Sequence, residues 1–381
     1  MSRLTDVALL FGKLGATAFG GPAAHIALLE DEVVRRRGWI TREEFLDYLG
    51  AANLIPGPNS TELAMHIGQR HAGRPGLVVA GLCFILPAAL IVTALAWAYV
   101  RYGSVPDVRH LLTGVTPVVM AVVVQALWGL GRSALKRPGL VVIGLASVAA
   151  IVGGVHELLV LAAAGACGGL FGRGAEHGRT RAVVGVSLAG GAGASATLAA
   201  AAAAVPGASS FALWPLFVTF LKIGSVLFGS GYVLLAFLRA DFVERLGWLT
   251  EQQLLDATAI GLVTPGPVFT TATFIGHLLG GGAGAIVATV GIFLPAFVFV
   301  AASGPLVPRL RRSAVAGAVL DGFNVASLAL MGVVAWQLGR TALVDAPSVM
   351  LAAVALLVLI RWRVNPTWLI LAGGIMGLSA A

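Results

Sequence analysis

The chain is written twice. Phe11-Gly12-Lys13-Leu14-Gly15 returns as Phe220-Leu221-Lys222-Ile223-Gly224, Gly38-Trp39-Ile40-Thr41 as Gly247-Trp248-Leu249-Thr250, and Pro56-Gly57-Pro58 as Pro265-Gly266-Pro267. The offset is 209 throughout this stretch, and 17 of the 48 positions from 11 to 58 match their counterparts, several times what shared composition produces. At offset 208 the match continues through Ile67-Gly68, Leu86-Pro87-Ala88, Trp128 and Leu130-Gly131-Arg132. A duplication of this kind restricts the fold to two like halves. It divides the chain into an N-terminal repeat (1–175), a linker (176–207) and a C-terminal repeat (208–381).

Each half carries six apolar segments, in the first at about 7–29, 45–69, 77–100, 110–131, 140–154 and 156–172. A helix needs about 20 residues to cross a hydrocarbon core. Only 11% of the 381 residues are charged and 58% are hydrophobic, whereas a soluble domain carries about 25% charged residues. The expectation is an all-α polytopic membrane protein of about 13 transmembrane segments. Soluble enzymes, disordered linkers and secreted disulfide scaffolds are excluded. Cys83 and Cys167 lie inside apolar runs, as small buried hydrophobes do. The basic residues are scattered through short loops, with no nucleic-acid motif. His66 and His71 are five apart and share no helix face; no metal, cofactor or catalytic constellation stands out, so enzymatic chemistry is unsupported. The first apolar stretch carries Lys13 and recurs later, so it belongs to the fold rather than to a leader.

A Gly/Ala-rich run at 183–205 either links the halves flexibly or crosses the membrane and inverts the second half. Lys and Arg gather in cytoplasmic loops. With a crossing linker and six crossings per half, 16 Lys/Arg fall on the N-terminal side and seven on the other; without it the split is 10 against 13. The favoured topology has a cytoplasmic N-terminus, an outer C-terminus and inverted halves. In it the charged stretch Glu30 to Tyr48 lies along the interface on the outer side, and the short segments 140–154 and 347–360 are the candidates for re-entrance.

Two irregular signals recur in both halves: Phe19-Gly20-Gly21-Pro22 with Phe228-Gly229-Ser230-Gly231, and the two Pro-Gly-Pro triplets. Proline lacks an N–H and clashes with the preceding turn, so Pro-Gly-Pro breaks a helix. The next helix then begins with unpaired N–H groups and a positive dipole end, which suit an anion. Asn59, Ser60 and Thr61 add donors in the first half, Thr270 and Thr271 in the second. Irregular backbone at membrane depth is tolerated where it lines a cavity or is buried in protein. Gly20, Gly21, Gly57, Gly229, Ser230, Gly231 and Gly266 are therefore candidate site positions, with His25 beside the first break. Lys13 and Lys222, intramembrane and repeat-equivalent, are candidates for attracting an anion, with snorkelling to the interface as the alternative. Glu62 and Asp321 are candidates for taking up a proton. Thr41 and Thr250 read as helix N-caps.

With Phe19-Gly20-Gly21-Pro22-Ala23-Ala24-His25, Gly38-Trp39, Pro56-Gly57-Pro58, and their counterparts at Phe220 to Gly231, Gly247-Trp248 and Thr264-Pro265-Gly266-Pro267, the chain resembles the chromate ion transporter family in its long, two-domain form. The resemblance covers nearly the whole chain. It implies an inner-membrane exporter, driven by the proton motive force, that carries chromate from the cytoplasm and confers resistance. Sulfate, of equal charge and similar shape, remains an alternative substrate, as does an uncoupled anion channel; a homodimer is left open. One departure is that similar proteins often carry Gln two or three residues before Pro-Gly-Pro, where this chain has Asn53 and Leu262.

Overall fold

The computed structural model describes residues 2–103, 105–174, 211–228, 231–303, 314–362 and 364–379. The 183–205 run, expected as a crossing, lies outside the described residues, as do Gly229 and Ser230. Every regular element among the described residues is helical. The first half comprises α1 (Arg3–Thr17), α2 (Gly21–Glu30), α3 (Arg42–Ala52), α4 (Asn59–Tyr102), α5 (Pro106–Ala134), α6 (Pro138–Val152) and α7 (Glu157–Gly174). The second comprises α8 (Leu213–Val226), α9 (Leu234–Leu238), α10 (Glu251–Val263), α11 (Thr271–Ser303), α12 (Ala314–Ala342), α13 (Ala346–Trp362) and α14 (Pro366–Ser379). Wide helical turns at Asp31–Arg36 and Arg239–Arg245 extend α2 and α9. Among the described residues, four helices are long and apolar enough to cross a membrane: α4, α5, α11 with the turn before it, and α12.

The first two segments of each half are helical hairpins. In the first, α1 and α2 run antiparallel, so that Lys13 Nζ meets Glu32 Oε1 at 3.4 Å and, nearer the tip, His25 Nε2 lies 3.0 Å from the Ala18 carbonyl. In the second, α3 descends to the Pro-Gly-Pro tip and residues 59–71 of α4 return beside it. Trp39 stacks on His71, Arg70 pairs with Glu44, Tyr48 stacks on His66, and Asn59 Nδ2 donates to Asn53 Oδ1 at the tip, 2.7 Å away. α4 then reverses at Ala72 and Gly73, whose backbone is not helical. Gly68 and Gly76 abut so closely across this turn that a methyl group on Gly68 would lie 2.4 Å from the Gly76 carbonyl. Gly73, with φ of +69°, takes a left-handed conformation that glycine adopts freely. Residues 74–102 then form a long helix.

The second half repeats this. Lys222 Nζ meets Asp241 Oδ1 at 2.5 Å, Phe220 packs on Phe242, and Arg245 Nη2 donates to Thr219 at 3.3 Å. α11 reverses at Gly280 and Gly281, where Thr273 and Thr289 share a 2.7 Å hydrogen bond across the turn. Segment 7–29, expected as a crossing, is a hairpin, and segment 45–69, for which the sequence left a continuous span or paired half-helices open, is a pair of half-helices: α1 and α3 are each followed by an arm that returns. The stretch from Glu30 to Tyr48 forms the outer ends of two hairpins and their connection, not one flat segment. Thr41 and Thr250 are N-caps as expected, each in a reciprocal capping box with Glu44 or Gln253.

The halves exchange contacts in pairs. A methyl group on Gly114 of α5 would sit 2.2 Å from the Gly373 carbonyl of α14, and one on Gly322 of α12 would sit 2.2 Å from the Ala164 carbonyl of α7. Small residues of this kind let helices approach to backbone contact. The repeat-equivalent helices α5 and α12 also pack on each other, Gly131 beside Leu328 and Met120 beside Gly339. Ascending numbers in one meet descending numbers in the other, so the two equivalents are antiparallel.

Hairpins predict a different accessibility from crossings. Single cysteines at Glu43 and Arg74, in a background lacking Cys83 and Cys167, are expected to react with a membrane-impermeant maleimide from the same side. One at Tyr102 should react from the opposite side. Labelling of positions 43 and 74 from opposite sides would restore the crossing arrangement.

Candidate functional site

The four hairpin tips meet inside the bundle. The Gly57 N–H of the first Pro-Gly-Pro donates to the Leu227 carbonyl at 2.9 Å, and the Gly266 N–H of the second donates to the Ala18 carbonyl at 2.8 Å. Each Pro-Gly-Pro tip is thereby bonded to the first hairpin of the other half. Gly57 faces Ala296, and Gly266 faces Ala88, which is midway along residues 74–102. Gly57 and Gly266 have φ of +138° and +87°, and Gly20 and Gly21 have +104° and +76°. All four positions need the left-handed region where a side chain is strained. The space is also closed, since a Cβ on Gly266 would lie 2.5 Å from that of Ala88 and one on Gly57 would overlap the Glu62 carboxyl.

Pro58, Asn59, Ser60, Gly231, Pro267, Val268 and Phe269 line a small cleft between the two Pro-Gly-Pro tips. Asn59 and Ser60 head the helix that leaves the first tip, and their N–H groups have no acceptor one turn back. His25, fully buried, reaches this cleft from the first hairpin. Its Nε2 donates to the Ala18 carbonyl at 3.0 Å, and its Nδ1 lies 3.4 Å from the Ser60 hydroxyl. Thr61 Oγ1 and both Glu62 oxygens are buried beside the tip without a hydrogen-bond partner.

The remaining candidates are distributed differently. Gly20 lies against Asn365 and Gly21 against the Tyr232 hydroxyl, so the first tip touches the second half at both. Thr270 and Thr271 are buried at the second tip, but their hydroxyls donate to Pro267 and Val268 carbonyls, both at 2.8 Å. Those two donors are turned onto their own helix. Lys13 and Lys222 stand in the hairpin arms, away from the tips, and both are ion-paired. Lys222 is 3% exposed between Asp241 and Glu157, whereas Lys13 is 59% exposed beside Glu32. Asp321 lies on α12, half-buried, with no hydrogen bond to a described residue.

The sequence reading did not single out one buried network. Asp256 accepts from the Tyr99 hydroxyl at 2.7 Å and from Gln252 Nε2 at 2.9 Å, and Gln252 also donates to Thr116. It ties α10 of the second half to α4 and α5 of the first. Recurrence of Asp47 as Asp256 was its signal in sequence; Tyr99 and Thr116, more than a hundred residues away, had none.

Hairpins that break at mid-depth, meet tip to tip and sit within two homologous helical halves define a multi-pass membrane transporter. The chain belongs to the chromate transporter family, whose profile matches residues 5–170 and 214–378. It is 34% identical to a chromate transport protein of Pseudomonas aeruginosa, over 96% of this chain and 90% of the relative. It is 30% identical to the chromate transport protein of Cupriavidus metallidurans, over 99% and 93%, and 30% identical to a probable chromate transport protein of Synechococcus elongatus, over 93% and 89%. No solved structure matches the chain.

The two lysines should behave differently when removed. Lys222→Met leaves buried acids short of a counter-charge and is expected to cost about 3 kcal/mol, whereas Lys13→Met, at an exposed pair, should cost less than about 1 kcal/mol. Melting of both variants in detergent checks this, and equal melting temperatures would refute it.

Proposed function

We propose that this chain is a secondary transporter that carries chromate out of the cytoplasm across the inner membrane, coupled to inward proton flow. The observation that carries the reading is the meeting of both Pro-Gly-Pro tips at one cleft, level with the middle of the long helices. Chromate is a tetrahedral dianion. Half-helix heads, with free N–H groups and a positive dipole end, are a recognised way to hold such an ion at membrane depth. The names of the relatives point to the same substrate. Sulfate fits the same donors, because hydrogen bonds alone discriminate poorly between ions of like charge and shape.

Antiparallel packing of the equivalent spans α5 and α12 supports inverted halves, which in turn call for a crossing linker. Charge supports the orientation. With the first two segments of each half taken as hairpins, the four Arg between residues 30 and 44 move to the N-terminal side, while the two at 239 and 245 move to the opposite side. The split becomes 18 Lys/Arg against five, with Lys13 and Lys222 inside hairpins. The larger number marks the cytoplasmic side. Of the two candidate coupling acids, Glu62 stands at the tips and Asp321 does not, so Glu62 is the one we assign to the proton.

Cells expressing the chain should accumulate less chromate than controls, with excess sulfate as competitor; unchanged accumulation overturns the reading. Gly57→Ala and Gly266→Ala are each expected to lower export at least about tenfold, the effect of roughly 1.4 kcal/mol, with membrane insertion intact. Export at the unsubstituted rate in both would move the site away from the tips.

A further inference from the structure

Nine buried side-chain atoms among the described residues lack a hydrogen-bond partner, and four of them lie on two turns of one short helix. They are Thr61 Oγ1, both Glu62 oxygens and His66 Nε2. Native proteins leave few buried polar groups unpaired. Two titratable side chains left so within one turn call for an explanation other than packing. Glu62 is 0% exposed and His66 3%. They stand at i and i+4, on the same face of residues 59–71. One further turn along that face is Arg70, which is exposed and paired with Glu44 at 3.2 Å. A ladder of ionisable groups thus runs from the tip at mid-depth to the outer end of the second hairpin.

We propose that Glu62 and His66 form a proton relay that connects the hairpin tips with the side of the membrane bearing residues 37–41 and 70–74. The proposal rests on the proton-coupled reading and names the path within it. With that side cytoplasmic, the relay is the proton's way out. The O–H bond of the Glu62 carboxyl breaks as an N–H bond forms at His66 Nε2. The resulting imidazolium then gives its proton to water at the Arg70–Glu44 end and returns to neutral. A buried carboxylate without a donor is costly, so loss of the proton favours rearrangement of the tips.

The surroundings leave these two groups as the mobile proton's sites. Tyr48 stacks on His66 at 5.7 Å and holds the ring in place. From the first hairpin, His25 already has partners on both nitrogens, and Lys13 is held by Glu32. Residues 76–96 of α4 contribute Cys83 as their one titratable side chain, and residues 282–303 of α11, which bring Ala296 over Gly57, contribute none. In the second half Thr271 stands in place of Glu62 and Phe274, next to the Ile275 that matches Ile67, in place of His66, and the Thr271 hydroxyl donates to its own helix. The molecule therefore has one relay, although its scaffold is doubled.

The test uses the full chain in proteoliposomes with a pH-sensitive dye inside, measuring chromate flux under a pH gradient and chromate–chromate exchange at uniform pH. The unsubstituted protein is expected to move protons with chromate. In Glu62→Gln, chromate flux should neither move protons nor respond to the gradient. His66→Gln should slow gradient-driven flux at least about tenfold, as loss of a proton-transfer group does, with exchange at the unsubstituted rate. Normal coupling in either variant overturns the relay, and equal slowing of both fluxes in His66→Gln makes that residue structural and overturns it too. If the unsubstituted protein carries chromate without regard to the gradient, the coupled reading itself falls, and the relay with it. Infrared difference spectra on acidification need no transport: a carboxylic C=O band present in the unsubstituted protein and absent in Glu62→Gln supports the assignment, and the same band in both refutes it.

Discussion

Two backbone hydrogen bonds organise this molecule: Gly57 N–H to the Leu227 carbonyl and Gly266 N–H to the Ala18 carbonyl. A helix broken at membrane depth exposes N–H and C=O groups where no bulk water can satisfy them, and each costs several kcal/mol unpaired. Here the broken ends of one half satisfy those of the other. The bonds form only if the tips come within about 3 Å, which requires the intervening helices to pack at backbone contact. Glycine makes that possible: a methyl group on Gly15 would lie 2.5 Å from the Phe84 carbonyl, and one on Gly224 would lie 2.3 Å from the Ile292 carbonyl. The repeated glycines, the tip geometry and the interlocked halves are consequences of one requirement.

The scaffold is doubled, but the chemistry on it is not. Lys222 lies between two acids in the bundle while its twin Lys13 faces outward beside one. Glu62 corresponds to Thr271, and His25 to Leu234. At the second Pro-Gly-Pro tip the Thr270 and Thr271 hydroxyls are turned onto their own backbone, whereas the first tip carries the unpaired Thr61 and Glu62 oxygens. Duplication supplies the two-sided framework that alternating access needs. Divergence between the copies distinguishes them at the tips, where the first carries a buried acid and the second a threonine.

Much of this could be read without coordinates. The repeat, the helical class, the breaks at Gly20 and at both Pro-Gly-Pro triplets, and the caps at Thr41 and Thr250 all follow from local rules about glycine, proline and capping side chains. The turning back of the segments before Ala72-Gly73 could not. Gln69, Arg70, His71, Arg74 and Pro75 mark a loop there, but such a loop looks the same whether the segment before it is a crossing or a hairpin, so a hairpin joined to a span looks like two successive crossings. The lysines were seen as charges inside apolar segments, but their partners Glu32 and Asp241, 19 residues further on, sit in stretches that look interfacial. Asn53 was noted as a departure from the family; that it holds the tip through Asn59 is visible only in the fold.

By itself the sequence determined the class, the duplication and the places where helices must break, because those depend on composition and on the backbone limits of proline and glycine. The tertiary structure alone decided that the broken segments turn back instead of crossing and that their tips join across the halves. It also decided which charges are already neutralised. The joining of the tips is a property of the packed assembly, set by contacts such as Gly57–Leu227 and Gly266–Ala18 between the two halves, and no local pattern encodes which distant group will meet an unpaired one.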